Sequence, residues 1–152
     1  MANEVTLTGK DTVIINNRVL SDLADQDCAM LDFPNELANL STGKNGNTVY
    51  ALNNNGEHAN VTMRVLRGSA DDKFLNSLMN QQKANFAGFV LMTGEFIKRV
   101  GDGEGNVSND TYILSGGIFV QNINARENTT GDTEQSIAIY NLRFSRSPRT
   151  IT

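Results

Sequence analysis

Few residues in this sequence have the type and spacing that could do chemistry. His58 is the one histidine and Cys28 the one cysteine in 152 residues. A general base must stand within hydrogen-bond reach of the proton it takes, yet His58 lies between the polar turn Asn53-Asn54-Asn55-Gly56 and a strand-like run, with no nucleophile motif beside it. It reads as an ordinary strand-end histidine. Cys28 opens the apolar run Cys-Ala-Met-Leu, where a free thiol behaves as a small hydrophobe. A lone cysteine closes no internal disulfide, and with one histidine it falls short of a four-ligand zinc site. A reducing compartment suits it.

Asp102-Gly103-Glu104-Gly105-Asn106 alternates oxygen-bearing side chains as the start of a calcium loop does. However, Val107 stands where such a loop needs glycine, and the twelfth position is Ile113 instead of a bidentate acid. Gly103 and Gly105 make no phosphate cradle either, because neither a correctly spaced lysine nor a helix follows. The segment fits the tip of a long hairpin. The adjacent acids Asp71 and Asp72 suit the first turn of a helix, where the dipole favours negative charge. No catalytic, cofactor-binding or metal-ligating residue is assigned, and neither an enzymatic activity nor a cofactor is expected.

The elements that would position any site are mostly strands. Val13-Ile14-Ile15 and Val19-Leu20 flank Asn16-Asn17-Arg18, and asparagine tolerates the positive φ of a tight hairpin turn. Cys28 to Leu31 is a short strand. From Pro34 to Gly46 the polar and glycine-rich composition predicts an extended loop. Strands return at Thr48 to Leu52 and at Ala59 to Leu66, where Ala59, Val61, Met63 and Val65 alternate with polar residues. The period then changes. Ser69 caps a helix over Ala70 to about Gln82, with Phe74, Leu75, Leu78 and Met79 on one face.

Phe86 to Val100 and Thr111 to Ala125 form two long β-rich runs around the Gly101 to Asn106 tip. Strict alternation in the second places Tyr112, Leu114, Ile118 and Val120 on one face and Ile113, Phe119 and Ile123 on the other, so both faces need cover. The last strand, Gln135 to Arg146, puts Ala138, Tyr140, Leu142 and Phe144 on one face. Residues 147–152 carry no core pattern and predict a flexible tail. The length fits one domain over 1–152, mainly β.

The formal net charge is -4, which disfavours binding to nucleic acid through a basic surface, since that requires cations to replace counterions at phosphates. The N-terminus has neither a basic start nor an apolar run. No stretch approaches the roughly 20 apolar residues of a membrane helix, so a cytoplasmic, soluble protein is expected. The first 76 residues hold 6 basic and 10 acidic side chains, and the second 76 hold 7 of each. Asp22, Asp25 and Asp27 belong to a passage without bases, whereas Arg143, Arg146 and Arg149 have no acid among them. These two groups are candidates for complementary contacts between neighbouring subunits.

The stretch Val61 to Leu78 resembles the strand-to-helix junction of tail-tube proteins of contractile bacteriophages. The order of elements on either side is also similar, so the resemblance spans nearly the whole chain. It implies a small β-barrel or β-sandwich with one flanking helix, assembled as stacked homo-hexameric rings that make a conduit for genome delivery. Related architecture occurs in pyocin tubes and in the haemolysin-coregulated rings of type VI secretion. The implied partners are further copies of the chain, a tail sheath, a baseplate and a tail terminator, with no membrane. DNA would pass through the lumen without specific binding, helped by like-charged walls. The implied location is the virion tail, after assembly in the host cytoplasm. By the same analogy the 34–46 loop and the Gly101 to Asn106 hairpin reach adjacent subunits. The alternatives are the tube of a phage-like particle or secretion system and, from a different class, a monomeric β-barrel binding module.

Overall fold

The computed structural model describes residues 4–7, 11–24, 29–125 and 133–152. The strands are β1 (Thr6–Leu7), β2 (Thr12–Ile15), β3 (Arg18–Val19), β4 (Ala29–Asp32), β5 (Ala38–Thr42), β6 (Thr48–Leu52) and β7 (Ala59–Leu66). After the helix α1 (Ala70–Ala84) come β8 (Met92–Gly101), β9 (Val107–Phe119), β10 (Asn124–Ala125), β11 (Ile137–Arg146) and β12 (Arg149–Ile151). One large antiparallel sheet runs β3-β2-β8-β9-β11-β7-β4, with β1 added to β8, β10 to β11 and β12 to β9. The mainly β fold with one helix is as the sequence predicts. It is a curled sheet and not a closed barrel.

The reason it stays open lies in β3, which is only two residues long. The chain leaves it at once and crosses to the other end of the sheet, where Leu66 donates to the Asp22 carbonyl (2.9 Å) and Ala24 donates to the Arg64 carbonyl (2.9 Å). The gap between the sheet ends is thus bridged by the chain and not by a ladder.

The core follows the alternation of the two central strands. Ala59, Val61, Met63 and Val65 of β7 face Ala138, Tyr140, Leu142 and Phe144 of β11, and all eight are buried. Val13, Ile15, Leu20, Leu75, Met79, Met92, Leu114 and Phe119 pack into the same core. The helix starts where Ser69 accepts from the Asp72 amide (3.2 Å), while the Asp72 side chain accepts from the Gly68 amide (2.8 Å). That reciprocal arrangement satisfies donors that a helix start leaves unpaired.

The two first-turn acids do more than meet a dipole. Asp71 is fully buried and accepts from the backbone amides of Ser21 (2.6 Å) and Asp22 (2.7 Å) and from the Arg18 Nε (3.3 Å). Asp72 accepts from the Tyr140 hydroxyl (2.5 Å). Burial first, then that carboxylate, hold the Tyr140 phenol far above its ordinary range. At the other end of α1, the Gln82 amide donates to the Phe119 carbonyl and accepts from the Phe119 amide, both at 2.8 Å. Its side chain pairs with the end of β9 as a neighbouring strand would.

Four sequence expectations are corrected here. The 34–46 segment is not a loop throughout, because Ala38–Thr42 pairs with Thr48–Leu52 as a separate hairpin. Residues 147–152 are not a flexible tail: Ser147 is buried and donates to the Glu57 carbonyl (2.7 Å), and β12 pairs with β9. The long run beginning at Phe86 contains a connection as far as Leu91 before β8 starts at Met92. Alternation along β9 also breaks. Met92 pairs with Gly117 but Gly94 with Leu114, so β9 carries one extra residue, and Gly116 takes φ +67°. This bulge turns Leu114 and Phe119 to the same core, whereas uninterrupted alternation would oppose them.

Gly117 lies against the Phe144 ring, and a Cβ there would overlap ring atoms, including Cδ1 at 2.6 Å. Gly117→Ala is therefore expected to destabilise by about 1–3 kcal/mol in urea unfolding, as overpacking of a filled core does. Gly43→Ala, which meets only an ordinary contact at 3.6 Å, serves as the near-neutral control. β12 is held by Arg149, whose Nε and Nη2 donate to the two oxygens of Asp110 at 2.7 and 2.6 Å. The hydrogen bond from Arg149, then its charge, keep the Asp110 carboxyl below its usual 3.8. A depressed folded-state value stabilises above the unfolded value and loses that contribution as pH falls through the folded one. Arg149→Gln should thus lower the melting temperature at pH 6, and the gap from the parent protein should close as pH falls below 3.8 and through the depressed folded-state value.

Candidate assembly surface

The sequence candidates fall at separate places. Asp22 is half-buried and uses its backbone on Asp71 and Leu66, as described above. Asp25 and Asp27 lie outside the described residues, as does Cys28. Arg143 stands on the sheet face turned away from the core and donates from Nε to the Asn60 side-chain oxygen (2.7 Å). A neutral partner leaves its charge uncompensated by that bond. Arg146 is exposed at the end of β11, opposite Ser115. Arg149 is already engaged by Asp110 and lies over the Tyr112 ring, 5.6 Å from its centroid. Arg143 and Arg146 are therefore the pair best placed to meet an external acid.

The face that carries Arg143 also holds a run of neutral polar groups. Thr62 donates to the Asn141 side-chain oxygen (3.2 Å), and the Asn141 amide donates to the Gln121 side chain (3.0 Å). These groups satisfy one another in place.

The β8–β9 tip has spent its carboxylate locally. Asp102 Oδ1 accepts from the amides of Glu104 (2.8 Å) and Asn106 (3.2 Å), and Oδ2 accepts from the Asn106 side chain (2.6 Å). The Asn106 side chain, then the Glu104 amide, lower the Asp102 carboxyl below its ordinary value. Its role is to shape the turn. His58 sits in the turn before β7, its amide donating to the Asn55 carbonyl (3.3 Å).

The feature that sequence reading missed is the face of the β5–β6 hairpin. Cross-strand partners put Ala38 opposite Leu52, Leu40 opposite Tyr50 and Thr42 opposite Thr48 on one side, with Asn39, Ser41, Val49 and Ala51 on the other. The first side is apolar, yet Leu40 is 67%, Tyr50 75% and Leu52 79% exposed. Every residue of both strands is exposed. An isolated two-stranded hairpin is marginal in water, and no described residue of the chain covers this face. A second uncovered stretch is Phe86, Val90 and Leu91, between α1 and β8. Alternating apolar residues around the Gly46 turn would have indicated the hairpin.

No protein-family model matches the sequence, and a search of curated proteins finds no match. Solved structures do match. A chain of the sheath–tube complex of an extracellular contractile injection system, PVC, superimposes with TM-score 0.64 at 10% identity, over 93% of this chain and 88% of that one. The tube-terminating cap of the anti-feeding prophage gives 0.66 at 9% identity, over 100% and 95%. The sheath/tube terminator of the PVC system gives 0.58 at 12% identity, over 99% of each chain. The superpositions take in at least 93% of this chain and 88% of the others: this protein has the fold found in chains of the sheath–tube complex, the tube cap and the terminator of contractile injection systems.

Proposed function

We propose that this chain is the inner-tube subunit of a contractile tail, whose copies close into hexameric rings that stack into a hollow conduit. The observation that carries this reading is the amphipathic β5–β6 hairpin with its apolar face uncovered, on a fold shared end to end with tail components. An exposed apolar face of this kind marks an interaction surface, which assembly with further copies would bury. The role is structural and needs no reaction centre.

In this reading the particle's sheath, baseplate and terminator are the partners, and DNA passes through the lumen without specific contacts. The chain is made and assembled in the host cytoplasm and ends in the tail. Asp22, Asp25 and Asp27 meet Arg143 and Arg146 across stacked subunits, with Arg149 contributing less because Asp110 engages it within the chain. A second reading is favoured by the names of the matching structures, which belong to injection systems: a conduit, or its terminal ring, in a genome-free particle.

Negative-stain microscopy of the concentrated protein tests these readings together. Hollow tubes of one diameter are expected. Single rings that do not stack would support the terminal-ring role instead, and a species that stays monomeric in light scattering at high concentration would sink both. Arg146→Glu should slow tube growth while leaving the melting temperature of the dilute subunit unchanged, because Arg146 is exposed at a strand end. Growth at the parent rate would remove Arg146 from the interface.

A further inference from the structure

Two Asn-Gly pairs occur in the sequence, Asn45-Gly46 and Asn55-Gly56. In each, the glycine nitrogen can turn onto the preceding side-chain amide, because no Cβ stands in its way. An unfolded chain would treat the two pairs alike. The fold separates them.

Asn55-Gly56 is built into the body of the protein. The Asn55 carbonyl accepts from the Asn35 side-chain amide (3.0 Å) and from the His58 amide (3.3 Å), and the Asn55 amide donates to the Asn53 side-chain oxygen (3.1 Å). The Gly56 amide donates to the Asn53 carbonyl (3.1 Å). Gly56 is buried, and a Cβ on it would stand 2.9 Å from the Leu37 Cα and 3.0 Å from the Glu36 carbonyl oxygen. The next residue is pinned as well, since the Ser147 hydroxyl donates to the Glu57 carbonyl (2.7 Å). Turning the Gly56 nitrogen onto Asn55 Cγ would break several of these bonds at once.

Asn45-Gly46 is held by its own hairpin alone. β5 and β6 form a separate sheet of two strands, and every residue from one to the other is exposed. The Gly46 amide donates to the Gly43 carbonyl (3.0 Å), and the Gly43 amide donates to the Asn47 carbonyl (2.8 Å). A Cβ on Gly46 would meet nothing within 4 Å. Since an isolated ribbon of this kind is marginal in water, opening the turn costs little free energy. Once it opens, the Gly46 nitrogen is free to approach Asn45 Cγ to the roughly 3–3.5 Å from which attack proceeds.

We propose that Asn45 is a site of spontaneous deamidation by water, and that the fold protects Asn55 from the same reaction. The Gly46 nitrogen gives up its proton and bonds to Asn45 Cγ, the Cγ–Nδ2 bond breaks, and ammonia leaves as a succinimide ring closes. Water then opens the ring. Cleavage at Cγ leaves aspartate, and cleavage at the main-chain carbonyl leaves isoaspartate; water is consumed, ammonia is released and nothing is oxidised. Either product sets a carboxylate beside Lys44, the one charge between Glu36 and Glu57. Isoaspartate also adds a methylene to the main chain between Gly43 and Asn47, so the hydrogen bond that closes the turn loses its geometry. A new hairpin thus carries a regular turn and an aged one an acidic, lengthened turn, whether or not the chain assembles.

Incubating the dilute full-length protein at mildly alkaline pH and mapping its peptides by mass spectrometry tests this. The urea-unfolded chain is the reference, in which both pairs convert at comparable rates. In the folded protein, the peptide with Asn45 should gain the mass difference between an amide and an acid and split into two isomers, at least about tenfold faster than the peptide with Asn55. Asn45→Gln should stop the gain at that peptide. A rate at Asn55 equal to or above that at Asn45, or a folded protein unchanged at Asn45 while the unfolded chain converts, would overturn the proposal.

Discussion

Cover is the constraint on which the rest of this structure depends. At 15 residues α1 is about 22 Å long, whereas the 13 residues of β9 extend about 44 Å. One helix therefore cannot cover the whole of that strand. The helix is fixed at both ends: the Asp71 and Asp72 carboxylates tie its first turn to Ser21, Asp22 and to Tyr140 of β11, and the Gln82 amide holds its last turns to Phe119 at the end of β9. With the helix fixed there, the remaining length of β8 and β9 must be satisfied by other means. Short added strands, ion pairs and the tail strand β12 do this in part.

What the sequence discloses follows from how local each cause is. The β11 face of Ala138, Tyr140, Leu142 and Phe144 is legible because the whole strand lies on one core and alternates without interruption. The Asn16-Asn17 turn is legible because both residues need positive φ, 49° and 65°, and few side chains tolerate it. The Ser69 cap is legible because its partner is three residues away. Where the cause is distant, the reading fails. Nothing in residues 147–152 announces that Arg149 will meet Asp110, which is 39 positions earlier. The bulge at Gly116 reverses the parity of β9, although the Gly116-Gly117 pair was the available signal. The hairpin is hidden for another reason: among the described residues its apolar side meets no core, so its alternation reads as a loop with scattered leucines.

Charge is distributed by the same logic. An acid excess confined to the first half of the chain suggested a simple opposition of acidic and basic ends. The fold uses part of it internally, since Asp71 and Asp11 serve Arg18 and Lys98. The sheet face bearing Arg143 carries, beside that charge, amides and hydroxyls bonded to each other.

The uncovered hairpin has a kinetic consequence. A two-stranded ribbon gains little by folding alone, so in the assembly proposed above ordering it and covering it would be coupled, with the ordering entropy met at the moment of contact. The first contact between two free subunits would then order a hairpin without help from existing neighbours, whereas later additions would meet an already presented surface. Under that proposal initiation is slow and elongation fast, and the place and timing of growth belong to whatever template starts it.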